Sequence, residues 1–195
     1  MCIRDSIGTV KLVQCNFSQY SSRYDAFCAG DVQPAFDPAC AGGALMDLGV
    51  YNVSYIVGLF GEPNQAKYTA NMERGIDTSG ILTMDYSGFK AVSIAAKDCA
   101  APARYIIQGT KGYIMQKSTA NCCGGITFHP NEGKEEHYNL NGGRPREAAE
   151  FETFARAMES GDQELCTRMQ DTSIAVSRVL TVARRSAGIR FPGER

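Results

Sequence analysis

Between residues 66 and 140 the chain alternates short apolar runs with turn residues so closely that only local strand pairing can connect them. Strand-like segments fall near residues 66–72, 79–86, 90–96, 103–108, 112–116, 125–129 and 136–140. The separators are Gly75, the stretch 85–88, the stretch 98–102 and the stretch 109–112. A parallel crossover needs a dozen or more residues, so connections this short predict antiparallel neighbours. An earlier imperfect alternation over residues 7–21, carried by Val10, Leu12, Phe17 and Tyr20, predicts one further long strand.

The hydrophobic period changes twice. Gly42-Gly43 opens an apolar helix over residues 44–59, which Gly61 and Pro63 close. After Gly142-Gly143, Phe151, Phe154, Ala155 and Met158 mark an amphipathic helix over residues 146–160 that ends at Gly161. A last helix over 171–187 is expected to turn Ile174, Ala175, Val179, Leu180, Val182 and Ala183 to the core, with Gly188 as its stop. The expected fold class is α+β, a mostly antiparallel open sheet with helices gathered on one face. Tyr, Val and Ile on both sides of several strands suggest that the other face pairs with another subunit.

Several classes of function are disfavoured. Lysine plus arginine (20) nearly balances aspartate plus glutamate (21), so net charge gives no footprint for nucleic acid. The longest apolar stretch, residues 44–60, is interrupted by Asp47, Asn52 and Ser54 and reads as a buried helix rather than a membrane span. The eight cysteines contain no Cys-x-x-Cys pair, which fits reduced thiols in a cytoplasmic protein and gives no zinc or redox motif. His129 and His137 flank a polar loop without convergent partners in sequence, so no metal is expected.

Residues 1–6, Met-Cys-Ile-Arg-Asp-Ser, lack the layout of a signal peptide. Back-translated as ATG TGT ATA AGA GAC AG, they match a transposase adapter used in preparing sequencing libraries. The expectation is that they are translated adapter, that native sequence begins near Ile7, and that an upstream domain is missing.

Within the apolar helix, Asp47 and Tyr51 are four residues apart and share a face. A carboxylate in such a setting needs a hydrogen-bonding partner, and a neighbouring phenol can supply or accept a proton. The pair suits acid/base work in carbonyl–alcohol interconversion. The alternative is an aspartate interacting with the helix N-terminus beside a core tyrosine. Arg23, Tyr24 and Asp37 in loops, Arg104 at a strand start, and Asn52 and Tyr55 after Tyr51 are the candidate substrate contacts.

These segments, taken in order, resemble a known family. They are Ile7-Gly8-Thr9-Val10, Phe36-Asp37-Pro38, the stretch from Gly42-Gly43 to Tyr51-Asn52, and Gly61-Glu62-Pro63. They continue with Ile107-Gln108-Gly109-Thr110-Lys111-Gly112-Tyr113-Ile114, Asp171-Thr172 and Arg184-Arg185-Ser186-Ala187-Gly188-Ile189. Over residues 7–192 the chain resembles the C-terminal domain of the glucose–fructose oxidoreductase/inositol dehydrogenase (Gfo/Idh/MocA) superfamily. The resemblance implies a GAPDH-like C-terminal domain that binds substrate and forms a homo-oligomer through its open sheet face. It also implies hydride transfer between NAD or NADP and a sugar, polyol or related hydroxy compound. Tyr51 then becomes the proton donor or acceptor beside the nicotinamide, with Asp47 as its polar neighbour. Tyrosine at 51 departs from the histidine of the inositol dehydrogenase pattern. The family's Glu-Lys-Pro lysine and the Gly-x-Gly-x-x-Gly fingerprint are both absent here, so cofactor binding is assigned mainly to the missing domain and the fragment alone is expected to be inactive. The family also includes a sugar-pathway repressor, so a non-catalytic ligand sensor is the alternative.

Overall fold

Along β1 (Val10–Ser18), Val13, Cys15 and Phe17 are buried while Lys11, Leu12 and Gln14 are exposed. This alternation sets the two faces of the whole sheet. In the computed structural model, which describes residues 6–139 and 141–194, eight strands form one sheet in the order β2-β3-β4-β1-β5-β6-β7-β8. The other strands are β2 (Gln65–Glu73), β3 (Ile76–Asp85), β4 (Lys90–Ala96), β5 (Arg104–Gly109), β6 (Gly112–Gln116), β7 (Ile126–Pro130) and β8 (Glu136–Tyr138). All neighbours are antiparallel except β1 and β4, which run parallel with Phe17 opposite Ala95. The chain reaches β4 only after two helices and the β2–β3 hairpin, which is long enough for the crossover that a parallel pair requires.

Among the described residues, four α-helices accompany the sheet: α1 (Tyr24–Ala29), α2 (Val50–Phe60), α3 (Ala148–Ser160) and α4 (Gln163–Ser186). A single π-helical turn, Leu45–Gly49, leads into α2. Val53, Ile56 and Val57 of α2 pack with Val176, Val179, Leu180 and Ala183 of α4 in the same core as Val13, Leu82, Met84 and Tyr105 from the strands. The stretch Pro38–Phe60 has the length and apolar character of a membrane span. Its buried side chains instead line this core, so packing accounts for its composition.

Several boundaries and faces differ from the expectations. Residues 24–29, read as part of a loop, form α1. The last helix starts at Gln163 rather than 171, where Asp162 accepts a hydrogen bond from the Leu165 amide at 2.9 Å. Its first two turns are largely exposed, and only Leu165 and Met169, four residues apart, are half-buried there, too short a stripe to announce the helix by itself. Ile174 and Val182, expected in the core, are exposed, and Val176 is buried in their place. The buried positions 176, 179, 180 and 183 follow the helical repeat that meets α2 and β2. On α3 it is Ala157 that is buried, while Phe151, Phe154 and Met158 are exposed. Leu140, the end of the last expected strand, lies outside the described residues.

Candidate active site

Where the chain enters α2, Gly43 takes φ +107°, and a Cβ there would come within 2.0 Å of the Asp77 carboxylate. Glycine is therefore required on two counts, backbone conformation and close approach. Asp77 is 1% exposed; its Oδ2 accepts from the Leu45 amide at 2.7 Å and from the Tyr68 hydroxyl at 2.8 Å. A carboxylate on the first free amide of a helical segment satisfies a donor that has no partner within the helix. Burial pushes the Asp77 carboxyl above its ordinary range, opposed by those two hydrogen bonds and by the charge of Lys97. Its inward aim comes from a bulge. Asn71 pairs with Ser79 and Met72 with Asp77, so Thr78 is an extra residue on β3 and the alternation reverses across it.

The π turn carries Asp47, and its geometry differs from a plain α-helical start. Such turns recur at functional sites. The Asp47 carboxylate is 2.7 Å from Lys97 Nζ, and its side chain is 45% exposed whereas that of Lys97 is 2% exposed. Lys97 also donates to the Ala35 carbonyl and lies 4.1 Å from the centroid of the Phe36 ring. Phe36 in turn stacks on Phe27 with centroids 4.9 Å apart, which ties α1 and the Pro34–Phe36 turn beneath the site.

One turn beyond Asp47, Tyr51 is 39% exposed and its ring rests against Phe17 at a centroid distance of 5.7 Å. Among the described residues its hydroxyl makes no hydrogen bond. The phenol is thus fixed at its ring and open at its oxygen. Tyr55 follows on the same stripe, half-buried and edge-on to Tyr105 at 5.1 Å. Burial, and then the nearby Cys15 and Cys123 thiols, hold its phenol above the ordinary range.

The other candidate contacts stand apart from this surface. Asn52 is fully buried; its amide donates to Ser93 Oγ at 3.0 Å and the Ile94 carbonyl at 2.9 Å, and its oxygen accepts from Tyr105. One residue past Tyr51 is a rotation of about 100°, which turns Asn52 from the open side into the core. Arg104 pairs with Asn16 on the open face, while Tyr105 points to the helices, so the sheet separates Arg104 from Tyr51. Asp37 accepts from the Ala39 amide at 2.8 Å and caps the Pro38–Cys40 turn. Arg23 is exposed at the start of α1, and Tyr24 donates to Glu73 at 2.8 Å. Sequence reasoning missed Lys97 and Asp77. A lysine closing a strand reads as solvated, and the inward turn of Asp77 depends on a bulge that no local pattern announces.

The description GFO/IDH/MocA C-terminal domain fits residues 3–115, more than half of the chain. The chain belongs to the Gfo/Idh/MocA family. It is 32% identical over 189 residues to a scyllo-inositol 2-dehydrogenase (NADP(+)) of Bacillus subtilis, covering 96% of this chain and 57% of that protein. It is 31% identical over 197 residues to a D-xylose 1-dehydrogenase (NADP(+)) of Haloferax volcanii, covering 95% of this chain and 56% of the relative. The chain therefore spans a little over half the length of the curated relatives it matches. Its fold matches an inositol dehydrogenase homolog of Azotobacter vinelandii, solved with NAD+, at a TM-score of 0.71 and 14% identity, over 93% of this chain and 57% of that one. That likeness bears out the open, mostly antiparallel sheet of a GAPDH-like C-terminal domain.

Proposed function

We propose that this chain is the substrate-side portion of an NAD(P)-dependent oxidoreductase that acts on a sugar, a polyol (inositols included) or a related hydroxy compound. The observation that carries the reading is Tyr51: a phenol clamped at its ring by Phe17, open at its oxygen, one turn after the Lys97-paired Asp47. The names of its relatives supply the substrate class and the dinucleotide. Because no Gly-rich dinucleotide-binding unit occurs here, the nucleotide would be held mainly by a domain upstream, with this chain presenting the Tyr51 surface to its reactive ring.

The dinucleotide, when bound, supplies or accepts the hydride. In the reducing direction the Tyr51 hydroxyl would give its proton to the substrate carbonyl oxygen as negative charge develops there. In the oxidising direction the Tyr51 oxygen would accept the proton of the substrate alcohol. Asp47 stands beside this exchange as a polar neighbour, anchored from within by Lys97. The open sheet face pairs with a second copy, and the protein works in the cytoplasm. The fragment alone turns over nothing.

The test is to extend the coding sequence upstream of the Ile7 codon in the source DNA and to assay the product. An in-frame Gly-rich strand–helix unit with a Glu-Lys-Pro segment, and NAD(P)-dependent oxidation of inositol or D-xylose, are expected. A stop codon followed by a start codon directly before Met1, or an extended protein that binds polyol without turnover, would contradict the enzyme reading. The second outcome would favour a ligand sensor.

A further inference from the structure

Among the described residues, Lys97 is buried along with Asp77 and Arg184, and its surroundings explain where its ammonium points. A desolvated cation is costly unless a partner and hydrogen bonds compensate it. Here the compensation comes from the Ala35 carbonyl, the face of the Phe36 ring and the Asp47 carboxylate, two of them in the Pro34–Phe36 turn and the third in the π turn. The Lys97 amide donates to the Thr78 carbonyl at 2.8 Å, beside Asp77, so both anchors of the turn are rooted at one end of the β3–β4 pair. Asp77 holds the turn by its backbone at Leu45, and Lys97 holds it by its side chain at Asp47.

We infer that Lys97 is a positioning residue for the proton-transfer site: by pinning Asp47 it fixes the Leu45–Gly49 turn, and so the place of the Tyr51 phenol one turn on. This rests on the reading that Tyr51 handles the substrate proton. A π turn is less favourable than continued α-helix and persists where tertiary contacts hold it. Removing the cation would free the Asp47 carboxylate to turn towards water, because that side chain is already half-exposed. The turn would then keep only its backbone anchor.

Two measurements test this. In hydrogen exchange of this chain, Lys97→Met is expected to speed exchange over residues 45–51 by about tenfold while the 104–116 hairpin is unchanged. If Lys97→Met accelerates both regions together, the variant has unfolded globally, and Asp47→Asn, altered at the exposed end of the pair, is read in its place with the same local acceleration expected. Unchanged exchange over residues 45–51 in a folded variant overturns the proposal. In the full-length protein, Lys97→Met and Asp47→Asn should each lower kcat about tenfold, with KM for the dinucleotide within about twofold, and the double variant should be no slower than the worse single one. Multiplicative losses in the double variant, or a loss confined to KM, also overturn it. A wild-type full-length protein with no turnover defeats the functional reading alone, because the exchange result still decides whether Lys97 holds the turn.

Discussion

The shared face of Asp47 and Tyr51 was legible because helical spacing places residues four apart on one side, whatever the tertiary fold. Asn52 was not, because its role depends on which strands lie beneath the helix. Its amide bridges β4 and the Tyr105 hydroxyl of β5, closing hydrogen bonds that only the folded sheet supplies. Asn52→Ala is therefore expected to cost about 2–4 kcal/mol, since it strands buried polar partners in Ser93, Ile94 and Tyr105. Urea unfolding would measure it. In the full-length protein the same variant should leave KM for substrate nearly unchanged, and a large KM increase at unchanged stability would return Asn52 to the substrate contacts. Arg104 failed for a related reason. Alternation along a strand shows that neighbours face opposite ways, but not which face carries the helices. Lys97 carried no sequence signal at all, since its burial is created by Phe36 and Ala35, some sixty residues earlier.

At the scale of elements, the antiparallel hairpins were readable from turn chemistry, whereas the β1–β4 pair was not, because no local pattern records a partner so distant. The π turn escaped too, since its sequence reads as ordinary apolar helix. The C-terminal end of α4 shows what a single pair can fasten. The Glu194 carboxylate accepts from both terminal guanidinium nitrogens of the 4%-exposed Arg184, and also from the Phe191 amide at 3.1 Å. The Arg184 guanidinium lies 4.2 Å from the Phe191 ring centroid. The hydrogen bond from Arg184, then that from the Phe191 amide, hold the Glu194 carboxyl down at about 2, against an ordinary 4.5. A carboxylate whose folded pKa is depressed adds stability above its unfolded value and loses it as pH falls through the folded one. Glu194→Gln should thus lower the thermal midpoint at pH near neutrality, and the gap to wild type should close as pH falls from about 4.5 to about 2. A gap that stays constant across that window would show that the clasp does not depend on the carboxylate charge.

For the whole molecule, the sheet has one face covered by helices and one carrying exposed Leu12, Ile81 and Tyr113. Ile81 lies opposite Ile94 in the β3–β4 register, so apolar side chains adjoin there rather than scatter. We expect this chain to form at least a dimer in light scattering at micromolar concentration, and Ile81→Lys combined with Leu12→Lys to give a monomer. A monomeric wild type would show that the open face does not pair with a second copy. The proposed proton transfer rests on the open phenol of Tyr51. The most direct measurement is Tyr51→Phe in the full-length protein, with turnover and dinucleotide binding read side by side. Removing only the hydroxyl should lower kcat by about 10²–10⁴ and leave the dinucleotide Kd within about twofold, because the ring keeps its seat on Phe17. Equal losses in both, or no loss in either, would contradict the assignment of the proton to Tyr51.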